Sequence, residues 1–240
     1  MRIIDFHVHI KGGDFYRTET KAEEIIRIMD RAGIEKSVVF SICIDATEGN
    51  LLTYKEVKKF PERLIGFATG IPAFNKNVLS EIERSISEYG FRGIKIHRGI
   101  HTLDLYLIAP IIEKSISLDI PCLIDPVGDF EAIKNIVDNY PEAKLVIAHL
   151  GNGWGMVTEQ FINLAREKPN VYLDTSYVRM TNYIEKAIKI AGSEKIIFGS
   201  DGPLIPPEPE IEKIRVFNLD VEQEENIFFR NAVKILKIME

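Results

Sequence analysis

Short apolar runs rich in β-branched residues alternate along this chain with longer stretches in which apolar residues recur every three or four positions. The short runs are Arg2–His7, Lys36–Ile42, Arg63–Ala68, Arg92–His97, Pro121–Asp125, Lys144–His149, Val171–Thr175 and Lys195–Gly199. Each is bounded by polar or turn residues, as strands are. Leu145-Val146-Ile147-Ala148 is apolar without alternation, the pattern of a parallel strand buried on both faces. The helical stretches are Thr20–Ala32, Asn75–Tyr89, Asp129–Tyr140, Glu159–Glu167, Tyr183–Ala191 and a closing Glu222–Ile238. In the first of them Ile25, Ile28, Met29 and Ala32 share a face, and Gly33 follows as a stop signal.

Eight strand–helix units of roughly 30 residues imply a parallel sheet with helices outside it. Eight is the number that closes a (β/α)8 TIM barrel, and the 240 residues suit one such domain over 1–240. No Gly/Ser linker or low-complexity tract divides the chain. An open doubly wound sheet is the alternative, but that fold usually carries a glycine-rich phosphate loop after its first strand. Here the position reads Phe6-His7-Val8-His9-Ile10, with neither GxGxxG nor GxxxxGK[ST].

Composition narrows the partners more than the fold. With 45% hydrophobic and 28% charged residues the chain is ordinary for a globular protein, and a net charge of −6 argues against nucleic acid or an anionic membrane as its main partner. The two cysteines, Cys43 and Cys122, lie far apart in apolar runs without CxxC spacing, which reads as buried reduced thiols. The N-terminal segment lacks the charged and apolar regions of a signal peptide, and no apolar run is long enough to span a bilayer, so a cytoplasmic location is expected.

The polar residues bring the chemistry. A barrel places its site at the C-terminal ends of its strands. Of five histidines, His7 and His9 end the first predicted strand, His97 the fourth and His149 the sixth, while His101 reads as a loop residue. Asp125, Asp174 and Asp201 end or follow the fifth, seventh and eighth. Residues i and i+2 of a strand share a face, so His7 and His9 can reach one ion. Imidazole suits Zn²⁺ and related metals, and a carboxylate such as Asp201 completes the shell or takes a proton from bound water. His149 would then bond the nucleophile or a developing oxyanion. Lys95 and His97 share a strand face. A barrel-facing lysine needs a partner, and Asp5, two residues before His7, is the candidate; the other reading has Lys95 and His97 facing substrate, with carbamylation of Lys95 a lesser option. Asp174 reads as an orienting residue or a helix cap. Arg98 and Arg179 read as cations for an acidic substrate group or as surface residues. Trp154 and Met156 read as a pocket wall or core filler.

Ile4-Asp5-Phe6-His7-Val8-His9, Gly93-Ile94-Lys95-Ile96-His97, Ile147-Ala148-His149-Leu150-Gly151 and Phe198-Gly199-Ser200-Asp201-Gly202-Pro203 appear in this order, and Asn231-Ala232 sits in the closing helix. The ordered set resembles the amidohydrolase superfamily, specifically its amidohydrolase-related family of hydrolases and decarboxylases. The resemblance implies a distorted (β/α)8 barrel of the metal-dependent-hydrolase type with a divalent metal at the strand ends. It implies His7 and His9 as ligands, Asp201 as ligand and base, and His149 beside the water or substrate. The family usually has a histidine ending strand five, and Asp125 stands there. The expected site is therefore two histidines and two aspartates, His7, His9, Asp201 and Asp125, holding one divalent ion. Zinc comes first, with Mn²⁺ or another divalent metal as the other choice.

The expected activity is hydrolysis of a C–N or C–O bond, in an amide, cyclic amide or lactone, by metal-activated water. Lys95, His97 and Arg98 would contact the small-molecule substrate. Non-oxidative decarboxylation is an alternative, and it needs a cation from Lys95, Arg98 or Arg179. A TatD-like phosphodiesterase shares the HxH start but generally carries a glutamate where this chain has Lys95. A barrel without catalysis, serving as a binding protein, is the reading that Asp125 motivates. The oligomeric state stays open, with a homodimer the commonest form among soluble enzymes.

Overall fold

The computed structural model describes residues 1–12, 18–42, 45–72 and 77–239, so the expectation for Cys43 lies outside the described residues. Nine short strands are present among them: β1 (Ile4–Lys11), β2 (Lys36–Ser41), β3 (Leu64–Gly66), β4 (Ala68–Thr69), β5 (Ile94–His97), β6 (Cys122–Asp125), β7 (Leu145–Ile147), β8 (Val171–Asp174) and β9 (Ile196–Ile197). They pair in chain order and in parallel, as one sheet of β1 to β3 and one of β4 to β9. β3 and β4 are the single predicted third strand, broken at Phe67. The Phe67 N–H donates back to Val39 O (3.0 Å), and the next N–H, of Ala68, donates forward to Gly93 O (2.9 Å).

Single backbone hydrogen bonds also span the opposite seam. Phe6 N–H donates to Phe198 O (2.9 Å), Asp201 N–H to His7 O (2.9 Å) and His9 N–H to Gly202 O (2.7 Å). The ladder is interrupted at both seams and bridged at both, which is a distorted (β/α)8 TIM barrel.

The helices between strands are α1 (Ala22–Ala32), α2 (Ala46–Val57), α3 (Val78–Ser87), α4 (Leu105–Ser117), α5 (Phe130–Asn139), α6 (Met156–Glu167), α7 (Thr181–Ala191) and α8 (Pro207–Arg215). The chain closes with α9 (Val221–Glu225), a wide π-turn over Asn226–Arg230 and α10 (Asn231–Leu236). Periodicity missed α2, α4 and α8, the first two for opposite reasons. The buried positions of α2 are Ala46, Gly49, Asn50, Thr53 and Glu56, so no apolar stripe marks its inward face. Apart from its C-terminal turn, α4 is apolar on nearly every side and carries Pro110, so no polar face marks its period.

Strand alternation sorts the core into two parts. Ile94, Ile96, Cys122, Ile124, Leu145, Ile147, Val171, Leu173 and Ile196 pack outward with helix residues such as Ile111, Ile136, Phe161 and Ile184. Ile4, Phe6, Val38, Phe40, Phe67, Leu123, Val146, Tyr172 and Ile197 form a separate inner cluster, with Phe229, Ala232, Val233 and Leu236 from the end of the chain. Phe6 meets Phe67 edge to face, ring centres 5.5 Å apart. Burying each such ring stabilises the fold by about 2–3 kcal/mol. The fit needs glycine at 93, where a Cβ would stand 2.4 Å from the Phe67 ring.

β1 departs from simple alternation. Its register against β2 slips between Asp5 and Val8, and again between His9 and Lys11. Each slip is a β-bulge, a device that re-aims side chains near functional sites. Ile4 and Phe6 belong to the inner cluster, while Val8 and Ile10 lie in the outer one with Ile25 and Met29. The parity changes once between them, and Asp5 and His7 end on opposite sides.

Candidate metal centre

The inner faces of β1 and of β5 to β9 lead to polar residues above the apolar cluster. His7 and His9 stand on β1, Lys95 and His97 on β5, Asp125 on β6 and Asp174 on β8, while His149 and Asp201 follow β7 and β9. Among the described residues His7, His149 and Asp201 each offer a ligand atom, and these atoms lie within 4.8 Å of one another. Asp201 Oδ1 is 2.8 Å from His9 Nε2 and 3.5 Å from His7 Nε2. Asp125 Oδ2 is 3.5 Å from His149 Nε2 and 3.3 Å from His97 Nε2. His7, His9, His97, Asp125, His149 and Asp201 line one cavity of about 350 Å³, with Tyr177 and Asn152 in its wall.

Hydrogen bonding separates the imidazoles. His7 Nδ1 lies 2.6 Å from Asp174 Oδ2, an acceptor, so Nδ1 carries the proton. Its Nε2 is then the unprotonated nitrogen: it accepts from the Lys95 ammonium at 3.2 Å and lies 3.5 Å from Asp201 Oδ1. A carboxylate fixing the far nitrogen of an imidazole is the usual support of a metal-binding histidine. Asp174 is itself held by the Ser176 N–H (2.6 Å) and the Ser176 hydroxyl. His149 differs: Nδ1–H donates to Ser176 O at 2.9 Å, and Nε2 faces the Asp125 carboxylate. An imidazole between two acceptors is satisfied as the doubly protonated cation. His97 Nδ1 accepts from Gly99 N–H at 2.9 Å, which leaves its proton on Nε2, toward Asp125. His9 Nδ1 is buried without a hydrogen-bond partner among the described residues.

Local backbone sets these positions. The β1 bulges turn His7 and His9 inward with ring centres 5.2 Å apart. His149 and Asp201 adopt the left-handed region (φ 60° and 66°), which non-glycine residues enter rarely and mostly where surroundings impose it. Gly199 leaves room beside them: a Cβ there would lie 2.9 Å from His7 Cβ and 3.0 Å from Asp174 Oδ1.

Electrostatics follows the geometry. Burial pushes the Asp201 carboxyl up, but the His9 hydrogen bond and the charges of His9, His7 and His149 outweigh it and hold it well below the usual range. Asp125 behaves alike: burial opposes ionisation, and the His149 hydrogen bond with the charges of His149, Lys95 and His97 overcome it. Burial, with Lys95, lowers His7. Burial would also lower His149, but the Asp125 hydrogen bond and three carboxylates raise it. Burial brings His97 down to about 4 against the pull of Asp125, and lowers Lys95 against Asp125, Asp174 and Asp201.

Several expectations change here. Lys95 does not pair with Asp5. The bulge turns Asp5 toward α1, where its carboxylate accepts from Ser200 N–H (2.9 Å), the Ser200 hydroxyl (2.5 Å) and His7 N–H (3.1 Å). Burial lifts Asp5 to about 7 against those bonds. Lys95 is fully buried, over the Phe40 ring (4.8 Å) and against His7, rather than in the cavity wall. Arg98 is not brought to the cluster: it pairs with Asp129 at 2.8 Å, half-exposed. His101 is held by backbone carbonyls of Thr102 and Gly70. Trp154 and Arg179 line a neighbouring cavity. Ser176 and Tyr177 went unnoticed in the sequence. Asp174-x-Ser176 repeats the i, i+2 spacing of His7-x-His9 at a strand end, and that spacing was the available signal.

The donor set fits a divalent ion: the His7 Nε2 lone pair and the Asp201 carboxylate converge to 3.5 Å, and His9 Nδ1 is buried with no partner among the described residues. Three carboxylates, Asp125, Asp174 and Asp201, surround the cluster, which moves preference from zinc toward harder ions. No helix among the described residues is long and apolar enough to cross a membrane.

A family model described as Amidohydrolase matches residues 4–238. Among solved structures, the fold is similar to an uncharacterised TIM-barrel protein of Bordetella bronchiseptica (TM-score 0.81, 18% identity, 99% of each chain covered). It is similar to 5-carboxyvanillate decarboxylase of Novosphingobium aromaticivorans, complexed with manganese and 4-hydroxy-3-methoxy-5-nitrobenzoic acid (TM-score 0.80, 17% identity, 98% of this chain and 96% of that chain). It is also similar to 4-oxalomesaconate hydratase of Rhodopseudomonas palustris (TM-score 0.75, 20% identity, 98% of this chain and 95% of that chain). No curated protein sequence matches.

Proposed function

This chain belongs to the amidohydrolase family, and from that premise we propose that it is a metal-dependent enzyme that removes CO₂ from a small unsaturated carboxylic acid without an oxidant. The observation that carries the reading is the convergence of His7, His149 and Asp201 within 4.8 Å at the mouth of a cavity, with His9 on Asp201 and Asp125 on His149. His7, His9 and Asp201 would hold the ion, with Asp125 beside them. When bound, the ion supplies a Lewis acid that fixes the substrate's oxygen atoms. Manganese ranks beside zinc because of the carboxylates around the cluster. The similarity to a manganese-bound decarboxylase supports both the metal and the reaction.

The chain's own residues divide the remaining work. Asp174 fixes the tautomer and orientation of His7, which reserves Nε2, the nitrogen that faces Lys95 here, for the ion. His149, between Ser176 O and Asp125, holds a proton at Nε2 and delivers it to the carbon that loses CO₂. The balance is R–COO⁻ + H⁺ → R–H + CO₂: the C–C bonding pair stays on carbon and takes the proton. Hydrolysis is the second reading, favoured by the Asp201 carboxylate in the cavity wall, which can serve as base to a water.

The test loads purified protein with Mn²⁺ or Zn²⁺ and offers hydroxybenzoic and enoic acids beside amides and lactones. Metal-dependent CO₂ release in ²H₂O, with one deuteron at the vacated carbon, is expected. Cleavage of amides or lactones without CO₂ replaces decarboxylation by hydrolysis, and full turnover in chelator-treated protein overturns both.

A further inference from the structure

A second cavity of about 310 Å³ adjoins the first, and His149, Asn152 and Tyr177 belong to the walls of both. Its own wall adds Val127, Trp154 and Arg179. Three features set it apart from ordinary surface. Trp154, Tyr177, Val127 and Met180 are large apolar side chains left exposed around one opening, with Trp154 66% exposed. Such a patch marks a binding surface more often than chance exposure. Arg179 has no carboxylate partner among the described residues; its guanidinium lies 5.2 Å over the Tyr177 ring and donates to Tyr177 Oη at 3.1 Å. Five of the lining residues, Val127, His149, Leu150, Asn152 and Tyr177, hold left-handed φ between 49° and 60°. Backbone strain of this kind collects at ligand sites.

We propose that this second cavity is the recognition subsite for the far end of the substrate, and that it takes a planar group carrying a second negative charge. The anion pairs with the open fork of Arg179, while the plane packs on Trp154 and Tyr177. Arg suits this role because its rigid fork meets a carboxylate in two places and stacks on aromatic faces. The shared wall sets the order of groups: the reacting carboxylate at the cluster, the second acid beyond Tyr177. The inference rests on the reading that the cluster is the reacting site, but its binding test needs neither metal nor turnover.

Trp154 is the chain's one tryptophan, so its fluorescence reports this cavity directly. The experiment titrates metal-free protein with 4-nitrobenzoate and, separately, with neutral 4-nitrobenzamide, correcting absorbance against free tryptophan amide. Saturable quenching by the acid is expected, with the amide weaker by about tenfold or more. Arg179→Ala should weaken the acid by a similar factor and leave the amide unchanged. Arg179→Lys should restore part of the loss, since it keeps charge but not the fork. His7→Ala should leave the titration intact. Equal titration by acid and amide, a wild-type curve for Arg179→Ala, or loss of binding in His7→Ala overturns the subsite. Absence of metal-dependent turnover with these titrations intact removes the proposed reaction and leaves the subsite standing.

Discussion

On β6 the inner face passes from Leu123 to Asp125, and on β8 from Tyr172 to Asp174. Two residues of strand separate a layer that holds the barrel together from a layer that works against it. Below lie Phe6, Phe40, Phe67, Leu123, Val146 and Ile197, all fully buried, each adding about 2–3 kcal/mol of apolar burial. Above lie Lys95, Asp125, His149 and Asp174, also buried, where removing a charge from water costs several kcal/mol per ion even when partners exist. Burial is equal in the two layers, but its sign is not. The lower layer offsets the cost of the upper one, and the upper one keeps its charges because they face each other. Position along the strand therefore separates what folds this molecule from what it does.

Substitutions in the two layers should give opposite signatures. The largest effect belongs to His7→Ala in the upper layer. Metal content and turnover should fall beyond the 10–100-fold typical of losing a supporting residue, far out of proportion to the stability lost as Asp174 and Lys95 give up a buried partner. Elemental analysis beside calorimetry checks this, and a sharply destabilised variant that keeps its metal erases the contrast. Next is Asp174→Asn, which leaves His7 in place but weakens its support; metal affinity should drop about 10–100-fold in a chelator competition. In the lower layer Phe67→Ala should cost about 3–5 kcal/mol in denaturant unfolding while activity per folded molecule stays near the parent value. Gly199→Ala tests the boundary. Its Cβ would crowd His7 and Asp174, so both signatures should appear together: about 1–3 kcal/mol of destabilisation and weaker metal binding.

The smallest effect concerns Cys122, in the outer core. Burial pushes its thiol up to about 12, against a hydrogen bond with Ser115. A raised thiol pKa means that its contribution to stability is complete below the ordinary value of 9.0 and is lost as pH rises through about 12. In a Cys43→Ser background, alkylation at about pH 9 should follow global unfolding alone. Fast labelling of the folded protein would show that the outer core opens where the inner one does not.

The strand and barrel pattern was legible because both periods are written in apolar residues: every one of the eight expected strand positions holds a strand, the third in two pieces. α2 was not legible, since Asn50, Thr53 and Glu56 face inward through tertiary hydrogen bonds; Asn50 Oδ1, for instance, accepts from Thr69 N–H at 2.7 Å. Within the site, His7-x-His9 could be read from spacing, and His149 and Asp201 from their places after strands. The reach of Arg98 could not, because its partner Asp129 caps α5, and only the packing of neighbouring units brings that cap within 2.8 Å of the end of β5.

By itself the sequence determined the alternation of strands and helices, the eightfold order and the row of polar residues at the strand ends, because each depends on neighbours within a few positions. Only the tertiary structure decided which face each polar residue meets. The bulge in β1 sent Asp5 outward to Ser200 and His7 inward to Asp174. Contacts across the barrel then made one imidazole a lone-pair donor and another a proton carrier. Those partners are separated by 167 residues for His7 and Asp174 and by 195 for Asp5 and Ser200, and no local pattern carries information over such distances.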